Sequence, residues 1–231
     1  MGIGYIVIFA VFALFSMIIS NQLKSRFRKY SKVPISGGMS GKDVAEKMLR
    51  DNGIYDVKIV PTRGSLSDHY NPATKTVALS EDVYYGQHVS AAAVAAHECG
   101  HAVQHVNAYA PLKLRSALVP LQNISAQILN TIFILMFFGL YAISGFQAIA
   151  LPIIIGSYAI FTLVAFVTLP VEINASQRAL AWLVNSGVTN YSNHSQAKDA
   201  LKWAAYTYVV AALSSLAMLL YFLLRFLGNR N

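Results

Sequence analysis

The hydrophobic positions of this chain fall in four long runs: Ile3 to Ser20, Ile124 to Ile143, Ile149 to Leu169, and Tyr206 to Leu227, the last interrupted near its end by Arg225. A helix needs roughly 20 apolar residues to cross a hydrocarbon core about 30 Å thick, so the pattern predicts four transmembrane helices. Between the first and second runs the period changes. In "SGKDVAEKMLRDNGI", Val44, Ala45, Met48 and Leu49 recur at helical spacing, Ser40 stands at the N-cap and Gly53 where a C-cap would sit. The β-branched runs "VKIV" and "TVAL" flank the turn-rich "PTRGSLSDHYNPATK", which predicts two short strands or a hairpin with a long loop. A second helix is expected from Ser80 in "SEDVYYG". A third, "SAAAVAAHECGHAVQHVNAY", is expected to be capped by Ser90 and to end before Pro111. The expected fold class is a membrane α-helical protein with four transmembrane helices and a small α+β lobe. Its segments are an anchor (1–23), the lobe (24–123), a transmembrane hairpin (124–169), a returning helix (170–205) and a last span (206–231).

Composition agrees with the pattern: 55% of the 231 residues are hydrophobic and only 12% charged, and the mean hydropathy is +0.47, outside the range of ordinary soluble domains. The first run has no Lys or Arg before it, and "SMIISNQLKS" offers no small-x-small cleavage site, so it is read as a retained anchor. "KSRFRK" follows directly, and basic flanks stay on the cytoplasmic side. The amino terminus is therefore expected outside, 21–123 and 170–205 in the cytoplasm, Ser144 to Ala148 in a short outer turn, and the carboxyl terminus outside. This arrangement puts 16 of the 18 Lys and Arg inside, leaving only Arg225 and Arg230 outside. The net charge of +8 is then met by anionic lipid and calls for no nucleic acid.

Charge also narrows the function. No span carries a charged residue in its middle, which argues against a transporter; Gln127 and Asn130 are the polar residues of helix packing. A single cysteine, Cys99, excludes an intrachain disulfide and any multi-cysteine metal site. Any metal must rely on histidine and carboxylate.

Those residues gather in "AAVAAHECGHAVQH", where His97 and His101 lie one helical turn apart on the same face and can direct two imidazoles at one point. Such a point suits Zn²⁺, which accepts imidazole nitrogen at about 2.0–2.1 Å and in open sites keeps three protein ligands and a water. Glu98 can reach that water as general base, the metal lowering its pKa toward about 7. With 6 His in the chain, HExxH would arise by chance in about 0.3% of such sequences. His105 has rotated some 80° from His97 and is expected in a supporting or packing role. Cys99 is expected on the far side of the helix.

The third ligand has few candidates. The metzincin spacing fails because Gln104 and Asn107 occupy its Gly and His positions, and after His101 the chain offers only Glu172, Asp199, His105 and His194. Glu172 stands out: two crossings separate it from the HExxH helix, which returns it to the same side of the membrane. Ala175 and Ser176 follow at helical spacing and would let the helices approach closely.

At these residues the sequence resembles a known family. "LSDHYNPATKTVALSEDVYYGQHVSAAAVAAHECGHAVQH", then "YAPLKLRSALVP" and "PVEINASQRA", look like the YugP-type neutral zinc metallopeptidases of bacterial membranes, over nearly the whole chain. More distantly the chain is similar to the HtpX and CAAX prenyl-protease group, in which HExxH is followed by ExxAD. The resemblance implies a zincin-like lobe, one Zn²⁺ per chain held by His97, His101 and Glu172, and Glu98 as base. Ser176 stands where the distant group has Asp; it can accept a hydrogen bond from a ligand imidazole but supplies no charge. The expected activity is zinc-dependent endopeptidase action on peptides or membrane-associated proteins, at an inner-membrane site facing the cytoplasm. A transporter or scaffold with a structural zinc is the alternative. In such enzymes an edge strand before the HExxH helix holds the substrate backbone, and "KTVALS" fits that place. Tyr191, His194 and Arg178 are open candidates for oxyanion stabilisation, and Asp68 and His69 for the cleft wall, with a turn role for Asp68.

Overall fold

The computed structural model describes residues 3–139 and 145–228. Leu140 to Ser144, which hold the end of the second apolar run and the start of the outer turn, lie outside the described residues, as does Arg230. The described chain runs α1 (Ile3–Tyr30), a short 3₁₀ turn (Ser36–Gly38), α2 (Gly41–Asp51), β1 (Lys58–Thr62), β2 (His69–Asn71), β3 (Thr76–Ser80), α3 (Glu81–Tyr84), α4 (Val89–Val106), α5 (Ala110–Phe137), α6 (Phe146–Asn185) and α7 (His194–Gly228). It is mostly helical, with four helices long and apolar enough to cross a membrane (α1, α5, α6 and α7) and one three-stranded sheet.

These four helices outrun the apolar runs that foretold them. The run ending at Leu169 continues without a break to Asn185, so Glu172 sits on the same helix. Likewise α5 begins at Ala110 and carries Pro120 inside it. The chain divides into two compact units. One comprises Met1–Met17, Leu114–Leu169 and Tyr208–Asn231; its described part packs around Leu129, Ile132, Ile154 and Phe222.

The other unit, Ile18–Lys113 with Pro170–Thr207, is built around α4. Because Ala91, Ala92, Ala93, Ala95, Ala96, Cys99 and Ala102 are all buried, α4 has neighbours on nearly every side, which explains its run of small residues. Against it packs α2, through Val44, Ala45, Met48 and Leu49. The start of α2 is a complete capping box: Ser40 Oγ accepts from the Asp43 amide and Asp43 accepts from the Ser40 amide. At its end Gly53 takes a positive φ of 71° just past the Asn52 cap, a conformation glycine adopts without a Cβ clash.

Two expectations are corrected in this unit, the helix cap and the edge role of "KTVALS", and the strand reading is narrowed. The helix of the histidines is capped by His88, whose Nδ1 accepts from the Ala91 amide at 3.1 Å. Ser90 instead lies inside the first turn and donates to the Phe27 carbonyl at 2.8 Å. "VKIV" and "TVAL" form the two short strands expected, β1 and β3, but not a hairpin: they run parallel, and a third strand, β2, pairs antiparallel with β3. The order β1-β3-β2 makes β3 the central strand, so "KTVALS" has both edges occupied and cannot accept a substrate strand. Asp199, a ligand candidate by elimination, ties α7 to α1. It accepts from Tyr30 Oη at 2.6 Å and pairs with Arg26 at 3.3 Å.

Candidate metal centre

Two elements supply the cluster. α4 brings His97 and His101 from successive turns, and α6 brings Glu172 against them, with His97 Nε2 at 3.2 Å and His101 Nε2 at 3.5 Å from Glu172 Oε2. All three can place one donor atom within 4.8 Å of the others, and this is the group among the described residues with metal-binding geometry. The helices come this close because Gly100 has no side chain: a Cβ there would stand 2.7 Å from the Ala175 carbonyl oxygen. Ala175 itself is fully buried. Any larger residue at position 100 would push α6, and Glu172 with it, away from the two imidazoles.

The donor set fits zinc. Tetrahedral bonds of about 2.0–2.1 Å separate neighbouring donors by about 3.4 Å, close to the 3.2 and 3.5 Å from Glu172 Oε2 to the Nε2 atoms of His97 and His101. The far side of each ring has its own partner. Ser176 Oγ lies 3.1 Å from His97 Nδ1, and Gln104 Oε1 lies 3.0 Å from His101 Nδ1. Burial pushes the Glu172 carboxyl up, but hydrogen bonds from His101 and His97 outweigh it and hold the group below the usual carboxylate range. Burial disfavours the charged form of His101, yet the hydrogen bond to Glu172 and the charge of Glu98 raise its pKa on balance.

Glu98 follows His97 on α4 and is buried. Burial pushes its carboxyl up, against the opposing pull of His97 and His101. Among the described residues no side-chain or loop donor bonds its carboxylate, so its oxygens are available to a water.

The other residues singled out in the sequence lie outside the ligand cluster, Cys99 and His105 as expected. Cys99 is fully buried on the opposite side, its Sγ 3.6 Å from the Ala45 carbonyl of α2, and burial raises its thiol pKa. His105 turns away from the cluster: its Nδ1 lies 2.8 Å from Tyr70 Oη of β2. Asp68 is a structural clasp, accepting from the Ser80 amide at 2.7 Å and from Ser80 Oγ, while His69 is exposed with Nδ1 near the Ser67 carbonyl. Of the three oxyanion candidates, Tyr191 is fully exposed, His194 bonds Thr189, and Arg178 Nε donates to Asn174 Oδ1 at 2.7 Å. Among the described residues no hydrogen bond or ion pair joins any of the three directly to His97, His101 or Glu172. Sequence reasoning missed Gln104, which is fully buried and bonded to His101. The signal was its spacing, three residues after one ligand and seven after the other, on the same helix face.

Comparison with known proteins gives this geometry a setting. The family model described as "Putative neutral zinc metallopeptidase" matches residues 5–227. The "Putative membrane protease YugP" of Bacillus subtilis (strain 168) is 43% identical over 210 residues, covering 91% of this chain and 91% of that protein. No solved structure matches the chain significantly. With the family model spanning nearly the whole sequence and a relative this similar along its full length, the chain belongs to this family of zinc metallopeptidases.

Proposed function

We propose that the chain is a membrane-embedded zinc endopeptidase with one zinc per chain, held by His97, His101 and Glu172, and with Glu98 as general base. The observation that carries this reading is the match between the Nε2–Oε2 separations and the edges of a tetrahedral zinc site. Zinc bound there supplies Lewis acidity, polarising the scissile carbonyl and acidifying a water. The chain supplies the rest. Glu98 takes the proton of the attacking water, and its burial raises its basicity toward what a base working near neutrality needs. The same carboxyl then returns the proton to the leaving amine.

Substrates of this enzyme are peptides or membrane-associated proteins. With β3 enclosed, β2 is the sheet edge that lies against α4, its Tyr70 bonded to His105, and it takes over the substrate-strand role first assigned to "KTVALS". Three residues offer few main-chain bonds, which suits broad side-chain tolerance. Chelation provides the test. In mild detergent, cleavage of an unstructured protein such as casein should fall to background with a zinc chelator and return on adding equimolar zinc. Cleavage indifferent to both treatments would refute the reading.

The site faces the cytoplasm in this proposal, supported by the division of 16 basic residues against 2. A variant with Cys99→Ala and Asn52→Cys should react with a membrane-impermeant maleimide only after cells are opened. Labelling in intact cells would invert the orientation.

A further inference from the structure

We propose that Gln104 is the positioning residue that fixes the ring of His101, and that Asn174 and Arg178 fix Gln104 in turn. This inference rests on the ligand reading above. The chain of hydrogen bonds leaves one self-consistent assignment of atoms. Arg178 Nε can only donate, and it lies 2.7 Å from Asn174, so the Asn174 atom facing it is Oδ1. That oxygen also receives Gln104 Nε2 at 3.0 Å. The second proton of the Gln104 amide goes to the Val171 carbonyl at 2.8 Å, an atom that can only accept. Both partners therefore demand the amide nitrogen on their side and turn Oε1 toward His101.

The consequence reaches the metal. Oε1 lies 3.0 Å from His101 Nδ1 and has no proton to give, so Nδ1 must carry the hydrogen. In the neutral ring Nε2 is then the bare nitrogen, and Nε2 is the atom that faces Glu172. A ring free to flip or to exchange tautomers would present a protonated nitrogen part of the time. Gln104 removes that freedom from inside the protein, since it is fully buried and can use all of its amide on these partners. His97 has a lesser counterpart in Ser176, whose hydroxyl can donate or accept and so does not dictate a tautomer.

The test uses full-length protein in detergent, labelled with ¹⁵N-histidine and loaded with zinc. Imidazole NMR of the wild type should show His101 bound to metal through Nε2 with a proton on Nδ1; binding through Nδ1 would overturn the proposal without any mutant. Chelator competition then reads zinc affinity. Gln104→Met keeps the side-chain length but removes the acceptor, and should weaken zinc binding about 10–100-fold. Gln104→Glu keeps an oxygen against Nδ1 but loses both hydrogen bonds donated to Val171 and Asn174, so its zinc affinity falls as well, while the NMR spectrum should still show His101 bound through Nε2 with a proton on Nδ1. No affinity loss in Gln104→Met, or His101 bound through Nδ1 in Gln104→Glu, would make Gln104 a packing residue and refute the proposal. His101→Ala, measured alongside, separates the two readings: if it keeps wild-type zinc affinity, the ligand assignment itself has failed.

Discussion

Glu98→Gln should bind zinc as the wild type does and cleave casein at least about 10²–10⁴-fold more slowly, the range a positioned general base contributes. The substitution changes one oxygen to an amide nitrogen and leaves the volume of a buried side chain intact. It removes the only carboxylate that α4 carries. Because no side-chain or loop donor among the described residues bonds the Glu98 carboxylate, the amide breaks no structural hydrogen bond, and the fold should be undisturbed. Elemental analysis and a cleavage assay on one preparation check both halves. Cleavage near the wild-type rate would remove Glu98 from the mechanism.

Glu172→Ala should fail earlier, at the metal. Without the carboxylate, two imidazoles remain, and a two-ligand site exchanges zinc readily; an affinity loss of at least about 100-fold is expected, with activity lost in parallel. Circular dichroism should show the helices intact. Asp199→Ala is the informative companion. Asp199 binds Tyr30 and Arg26, so its loss should lower stability by about 1–2 kcal/mol while zinc content stays at the wild-type level. If the folded Glu172→Ala protein kept its zinc and Asp199→Ala lost it, the third ligand would have to be sought elsewhere.

How much of this could be read in the sequence depended on how local each cause was. The helix of Val44, Ala45, Met48 and Leu49 was legible because its capping box and apolar stripe are contained in fifteen residues. The four apolar helices were legible from hydropathy, but their ends were not. Turns that continue an apolar run, such as Pro170 to Asn185 on α6, carry the mixed composition of any helix, and only the next breaker stops them.

In the sheet, the two apolar runs were legible as strands, but the third strand and the pairing were not, for a different reason. "HYN" is too short to display an alternation, and its pairing depends on the Asn71 side chain, which accepts from the amides of Ala73 and Thr74 to close a tight turn onto β3. Of "NPATK" only Asn71 belongs to a strand, and Pro72 to Lys75 form the turn that the sequence predicts. Parallel pairing of β1 with β3 is a tertiary choice that leaves no local mark. At the candidate site, HExxH announced itself by spacing, and Glu172 by the scarcity of carboxylates. Gln104 was passed over because a buried amide resembles an ordinary polar residue until its partners are known. The cap was misassigned because Ser90 has the better capping propensity, whereas an imidazole nitrogen at His88 does the work.

The most direct test of the central claim is zinc K-edge X-ray absorption on the purified, zinc-loaded protein, with metal content measured on the same sample. The account predicts one zinc per chain, a first shell of nitrogen and oxygen alone near 2.0–2.1 Å with the outer-shell signature of two imidazoles, and loss of that spectrum in His97→Ala. A sulfur scatterer near 2.3 Å would bring in Cys99, which this structure buries against α2, and a wild-type spectrum in His97→Ala would show that zinc binds elsewhere; either result would contradict the account.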